Sequence, residues 1–268
     1  MSRIRKFIAK LIAGGWEELT QYLSSYLIKG DFEEEYLNHI PALRFLPSFN
    51  FTKPVTFFVG ENGIGKSTLI EALAVSCGFN AEGGSKHMNF KTKETHSSLY
   101  KNIKVRRNIP FPSDGYFLRA ESLYNLATEV DRLDKIGIWG ESTGHDFLKK
   151  NYGGKSLHEQ SHGESFFNLL MNRFGSNSIF FLDEPEAALS PTRQLAIITR
   201  INDLVEQNCQ FIIATHSPVL TAIPYSEIIE ITDEGAKITP YTETQNYIVT
   251  KTFLENPSKM MRLLLEDS

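Results

Sequence analysis

The sequence predicts an α/β fold: a mainly parallel sheet flanked by helices, with a small antiparallel β lobe. Three observations carry this. Short β-branched and aromatic runs alternate with segments of helical length and spacing, the pattern of strand–helix–strand crossovers. Two of those runs end abruptly, one in a glycine-rich loop and the other in two consecutive acids. Residues 84–110 are polar and basic without helical periodicity, which suits short strands set to one side.

Residues 1 to about 29 read as helical, with Gly14-Gly15 as a break and Gly30-Asp31 as the stop. Within them Ile4, Phe7, Ile8, Leu11 and Ile12 keep helical spacing, interrupted by Lys6 and Lys10. A secretory signal needs a continuous apolar centre, which this segment lacks. It reads as a basic amphipathic helix; such helices can lie on anionic membranes, and packing on its own domain is the favoured reading. Residues 40–52 hold short extended pieces around Pro41 and Pro47. Strands are expected at 54–59, 115–119, 178–182, 210–214 and 227–231, and helices at 67–77, 121–133, 163–174, 192–206 and 245–265. Residues 137–160 are rich in Gly, Ser and His and read as loop. The chain thus divides into a helical extension, 1–30, and a single domain, 31–268, that holds the β lobe at 84–110 and a helical region at 120–175.

Composition narrows the function classes. The 268 residues are 41% hydrophobic and 12% aromatic, enough for a packed core. A formal net charge of -4 argues against a protein that coats nucleic acid over its whole surface. Nucleic acid stays open as a partner only through a local patch, Lys86, Lys91, Lys93, Lys101, Lys104, Arg106 and Arg107 against the single acid Glu94. That stretch lacks the interleaved aromatics of a base-stacking surface, so a solvated or nucleotide-facing lobe is favoured. No apolar run approaches the roughly 20 residues of a membrane span. Cys77 and Cys209 fit no metal-ligand spacing and sit in apolar stretches, which implies buried free thiols in a reducing, cytoplasmic compartment.

Four motifs carry chemistry. Gly60-Glu61-Asn62-Gly63-Ile64-Gly65-Lys66-Ser67-Thr68 matches G-x-x-x-x-G-K followed by Ser or Thr, between a predicted strand and a predicted helix. The glycines let backbone N–H groups converge on phosphate oxygens, and the helix start adds partial positive charge. Lys66 would set an ammonium beside the β- and γ-phosphates, and Ser67 would offer a hydroxyl to magnesium. In 178–185, four apolar residues run directly into Asp183 and Glu184. A buried strand so delivers carboxylates to the sheet's carboxyl edge, Asp183 for the metal shell and Glu184 for the attacking water. Thr215-His216-Ser217 follows another such strand, and His216 there can donate to a γ-phosphate. Gln160-Ser161-His162-Gly163-Glu164-Ser165 opens a helix with a serine; read alone, this is an ordinary helix cap, although such an end also binds anions.

In this order the four elements resemble the ABC-ATPase superfamily of P-loop NTPases. Gly60–Thr68 resembles its Walker A loop, residues 179–184 its Walker B strand, His216 its switch histidine, Ser161-His162-Gly163-Glu164 its signature, and Ala187-Ala188-Leu189-Ser190 its D-loop. The wording over residues 35–268 is closest to small bacterial predicted ATPases labelled AAA-family or ABC-type. The resemblance implies a head-to-tail homodimer that sandwiches two ATP molecules with Mg²⁺, each held by the Walker loop of one subunit and by Ser161, Gly163 and Glu164 of the other. Two departures stand out. His162 replaces the usual glycine, and no glutamine lies between Ser67 and Glu159 to serve as the Q-loop residue. Glu121 is the nearest replacement after the strand at 115–119, with Arg119 second; Phe45 and Phe51 are candidates to stack on the base. Only about ninety residues separate Lys66 from Ser161, which leaves no room for the long coiled-coil arms of SMC proteins.

The leading expectation is an Mg²⁺-dependent ATPase that couples nucleotide-driven dimer closure to an unidentified protein partner, by analogy in phage defence or DNA maintenance. The alternatives are a slow ATP-gated dimerisation switch, which the irregular signature favours, and the nucleotide-binding subunit of a transporter, which the missing glutamine disfavours.

Overall fold

The computed structural model describes residues 21–86, 97–119, 127, 128, 130–132, 158, 161–187 and 189–266. The expected mainly parallel sheet is there. Strands β9 (Ser226–Ile231), β3 (Val55–Val59), β8 (Gln210–Ala214), β7 (Ser178–Asp183) and β6 (Asp114–Arg119) lie in that order, each pair parallel. Short antiparallel strands close both edges, β10 (Ala236–Ile238) beside β9 and β4 (Gly84–Ser85) beside β6.

Alternation along the strands divides the core in two. Phe57, Leu118, Phe180, Leu182, Phe211 and Ile213 point to one face. There they meet Phe166, Leu169 and Leu170 of helix α3 (His162–Arg173) and Ile197, Ile201 and Leu204 of helix α4 (Pro191–Val205). Phe58, Phe117, Phe181, Ile212 and Ile229 point to the other face, against Leu69, Ile70 and Leu73 of helix α2 (Lys66–Ser76). Because the inner strands are covered on both sides, they read as continuous apolar runs. The chain ends in two short helices, α5 (Gln245–Glu255) and α6 (Pro257–Glu266), as expected for 245–265. Of the helix expected at 121–133, residues 127, 128 and 130–132 are helical and the rest lie outside the described residues.

The lobe is antiparallel as expected, but its strands come from elsewhere. It is built of β2 (Ser48–Asn50), β1 (Leu23–Ile28) and β5 (Ile103–Arg107), in that order. Only β5 falls within 84–110; β4 joins the main sheet instead. The helical reading of 1–29 fails at Leu23–Ile28, and residues 1–20 lie outside the described residues. The cause is a register shift between Leu23 and Ser25, which brings Leu23 and Tyr26 both into the core. A spacing of three then looks helical in sequence, while pairing to both neighbours settles the strand. Pro41 likewise opens a short helix, α1 (Pro41–Phe45), rather than an extended piece, since proline suits the first helical position.

Polar groups fasten the lobe to the sheet. The fully buried Gln210 side chain accepts from Leu23 N–H and donates to Leu23 C=O, both at 2.9 Å. Glu227 accepts from Thr52 N–H at 2.9 Å, Thr52 Oγ1 at 2.8 Å and Thr56 Oγ1 at 3.0 Å. Gln210→Leu would strand one buried donor and one buried acceptor of Leu23. We expect a loss of about 2–4 kcal/mol in urea unfolding. A change below about 0.5 kcal/mol would show that the clasp contributes nothing.

Candidate functional site at the carboxyl edge of the sheet

The loop from Gly60 to Gly65 joins β3 to α2, and two of its glycines are forced by close packing. At Gly60 (φ +147°) a Cβ would lie 2.2 Å from the Ile231 carbonyl oxygen of β9. At Gly65 (φ +97°) it would lie 2.1 Å from Ile40 Cγ2 and 3.2 Å from Ala42 Cβ, just ahead of and within α1. A bond from Ala42 N–H to Ile64 C=O, 3.0 Å, pins α1 on the loop. The loop therefore has its backbone braced from behind, while Glu61, Asn62 and Gly63 stay exposed.

Helix α2 starts differently from its neighbours. The hydroxyls of Ser161, Ser190 and Thr244 accept from backbone N–H groups at the starts of α3, α4 and α5. The residue before α2 is Gly65, which offers no side-chain cap. Backbone N–H groups at a helix start are thereby left to an anion from outside. Lys66, buried, donates to the carbonyls of Gly60 at 2.9 Å and Glu61 at 2.8 Å. Burial pulls its ammonium below the usual lysine range, against the opposing charges of Glu184, Asp183, Glu186 and Glu61.

Strand β7 brings Asp183 to the same edge, and Ser67 Oγ donates to Asp183 Oδ1 at 2.9 Å. Glu184 follows with a left-handed backbone, φ +50°, and its N–H donates to Ala214 C=O at 3.0 Å. Such a conformation costs a non-glycine residue about 1–2 kcal/mol and concentrates at functional sites. His216, just past β8, sets Nε2 3.6 Å from Glu184 Oε1. That Nε2 is buried and has no hydrogen-bond partner among the described residues.

The structure thus gathers Gly60–Thr68, Asp183, Glu184 and His216 at one edge. Ser161, Gly163 and Glu164 stand on the other face of the sheet. They open α3, which packs on the opposite face of the sheet from α2. Their bonds form a capping box: Ser161 Oγ accepts from Glu164 N–H at 3.4 Å, and Glu164 Oε2 accepts from Ser161 N–H at 3.1 Å. Glu164 also meets Arg193 of α4 at 3.6 Å. The backbone and hydroxyl bonds of Ser161 hold the Glu164 carboxyl below its usual range. Glu121 and the His162 side chain lie outside the described residues. Phe51 is buried against Tyr26 and Phe49, which removes it as a base-stacking candidate.

Sequence reasoning passed over three groups here. Glu186 Oε1 accepts from His216 N–H at 2.6 Å. Asn246 Nδ2 donates to His216 C=O at 3.0 Å. Glu71 of α2 pairs with Arg119. Only Glu71 carried a signal, its spacing of four from Ser67 on one helix.

A braced glycine loop, an uncapped helix start and strand-borne acids at one edge of a parallel sheet define a P-loop nucleotide-binding domain. The family model for the AAA domain matches residues 40–215, well over half the chain, and the chain belongs to that family. It is 25% identical over 174 residues to "ABC transporter G family member STR2" of Medicago truncatula, a match that spans 61% of this chain and 24% of that protein. Among solved structures, an inward-facing putative metal-chelate type ABC transporter is 16% identical, with 86% of this chain and 88% of that one covered and a TM-score of 0.48. The SMC head domain from Thermotoga maritima is 14% identical, with 82% and 99% covered and a TM-score of 0.40. The structure of cbiO1 from Clostridium perfringens is 16% identical, with 91% and 99% covered and a TM-score of 0.46.

The family implies nucleotide binding, usually with Mg²⁺. The residues suit both. Ser67 Oγ and Asp183 Oδ1 are hard oxygen donors side by side. Among the described residues there is no cluster of three or more His, Cys, Asp or Glu that could hold a metal ion. The bracing of the loop is testable without nucleotide. Gly65→Ala should lose about 2–4 kcal/mol on thermal unfolding, through left-handed strain plus overlap with Ile40. Gly63→Ala, with φ +80° but nothing within 4 Å of the added Cβ, should lose only about 1 kcal/mol. Equal losses would mean that α1 does not brace the loop.

Proposed function

We propose that the chain binds ATP with Mg²⁺ and hydrolyses it as a head-to-tail homodimer, and that the nucleotide state is passed to a protein partner. The observation that carries this is the split of the site between two faces. The uncapped start of α2 and the start of α3 are on opposite sides of one sheet. In the head-to-tail reading, the phosphate chain on the start of α2 meets the start of α3 of a second copy.

In this reading the N–H groups of the loop and Lys66 hold the phosphates. Ser67 and Asp183 would hold magnesium, which would supply neutralisation of the phosphate charge. Glu184 would accept a proton from the attacking water. Its left-handed backbone turns the carboxylate out of the strand toward His216, whose Nε2 would donate to the γ-phosphate. Glu186 and Asn246 fix the His216 backbone from two sides. By analogy with the wider group, we place the coupled process in phage defence or DNA maintenance, and the buried thiols suit the cytoplasm.

A slow, ATP-gated dimerisation switch is the second reading. It is favoured by the intact capping box at Ser161, which must open before Ser161 can turn to a phosphate. A transporter subunit has the name of one relative in its favour, and that relative is about four times longer than the matched region.

Light scattering on Glu184→Gln tests the proposal. We expect the 30.4 kDa chain to double in mass with ATP and Mg²⁺, with turnover suppressed and ATP binding kept. Ser161→Trp should bind ATP yet stay at the mass of one chain. A Glu184→Gln protein that binds ATP and remains single would refute the dimer. Wild-type turnover near the rate of free ATP would favour the switch.

A further inference from the structure

Arg119 ends β6 in direct register with Asp183 at the end of β7. Its guanidinium reaches two acids at once. Nη1 is hydrogen-bonded to Glu71 Oε2, and Nε lies 3.4 Å from Asp183 Oδ2. Both acids are buried, at 8% and 5% exposure, whereas Arg119 keeps 21% of its side chain exposed. Asp183 turns its other oxygen, Oδ1, to Ser67. Glu71 is fixed on its far side by Ser97 N–H, 3.3 Å from Oε1. Ser67 and Glu71 stand one turn apart on α2, so the helix backbone closes a ring whose side-chain contacts run from Ser67 through Asp183 and Arg119 to Glu71.

A cation inside that ring has two opposed effects on a metal at Asp183. It holds the carboxylate with Oδ1 toward Ser67, which pre-orients a ligand. It also places a positive charge beside the oxygen pair that would receive Mg²⁺, which disfavours the ion in a partly buried setting. Glu71 draws on the same guanidinium and returns negative charge to the ring.

We propose that Arg119 is a positioning residue that sets the metal affinity of the site: it orients Asp183 while opposing Mg²⁺, and Glu71 limits that opposition. This rests on the reading of Asp183 as part of the metal shell. The two neighbours then act with opposite sign, which a purely structural role does not produce. Arg119→Gln removes the repelling charge, and Glu71→Gln removes the charge that offsets it.

The test is metal binding by the full chain. Mg²⁺ half-saturation is measured through binding of a non-hydrolysable ATP analogue, and Mn²⁺ binding is followed by electron paramagnetic resonance. Arg119→Gln should lower the metal concentration needed by roughly three- to ten-fold, and Glu71→Gln should raise it by a similar factor. Arg119→Lys, which restores the charge, should stay near wild type. Thermal melts report whether each variant folds; if Arg119→Gln does not, the rise in Glu71→Gln decides. Unchanged affinities, or shifts of the same sign, overturn the inference and leave the ATPase reading intact. A wild-type chain that binds no ATP analogue with Mg²⁺ removes both.

Discussion

The hydrogen bond between Ser67 and Asp183 links two strands that are not neighbours. β8 lies between β3 and β7, so the connection passes over the end of a strand. Two strand spacings amount to about 9.6 Å, too far for side chains standing straight up from their strands. The gap closes because the loop after β3 turns back and delivers the first turn of α2 over the β8 terminus. That turn rests on Gly60 and Gly65, whose tight packing against Ile231 and Ile40 fixes its path. The geometry of the site thus depends on two positions where no side chain fits.

The same logic explains why the acids sit where they do. Residues 178–182 are buried on both faces, and a chain this apolar can place charge only where the strand runs out. Parallel strands run out together at one edge. Asp183, Glu184, His216 and the glycine loop then converge without any long-range search, because each merely follows its own strand. Glu186 and Asn246 add the lateral ties that hold the His216 backbone.

Much of this was legible in the sequence, and the reasons differ by element. The inner strands and helices were plain because runs such as 54–59 and 210–214 are short, apolar and bounded by turn residues. The glycine loop was plain because its spacing is dictated by phosphate geometry. The strand at Leu23–Ile28 was hidden, since a register shift mimics helical spacing and its partners lie 21 to 84 residues away. The composition of the lobe was hidden for the same reason. The place of Arg119 was hidden because proximity along the chain says nothing of register, and only the alignment of β6 with β7 sets it beside Asp183.

Glu184 has a further meaning. Its left-handed backbone is a conformation that glycine would occupy without strain. Folding alone would be better served by deleting the side chain there. Under the proposed ATPase reading, an acid there answers a demand unrelated to holding the molecule together, and position 184 is where robustness is traded for reactivity.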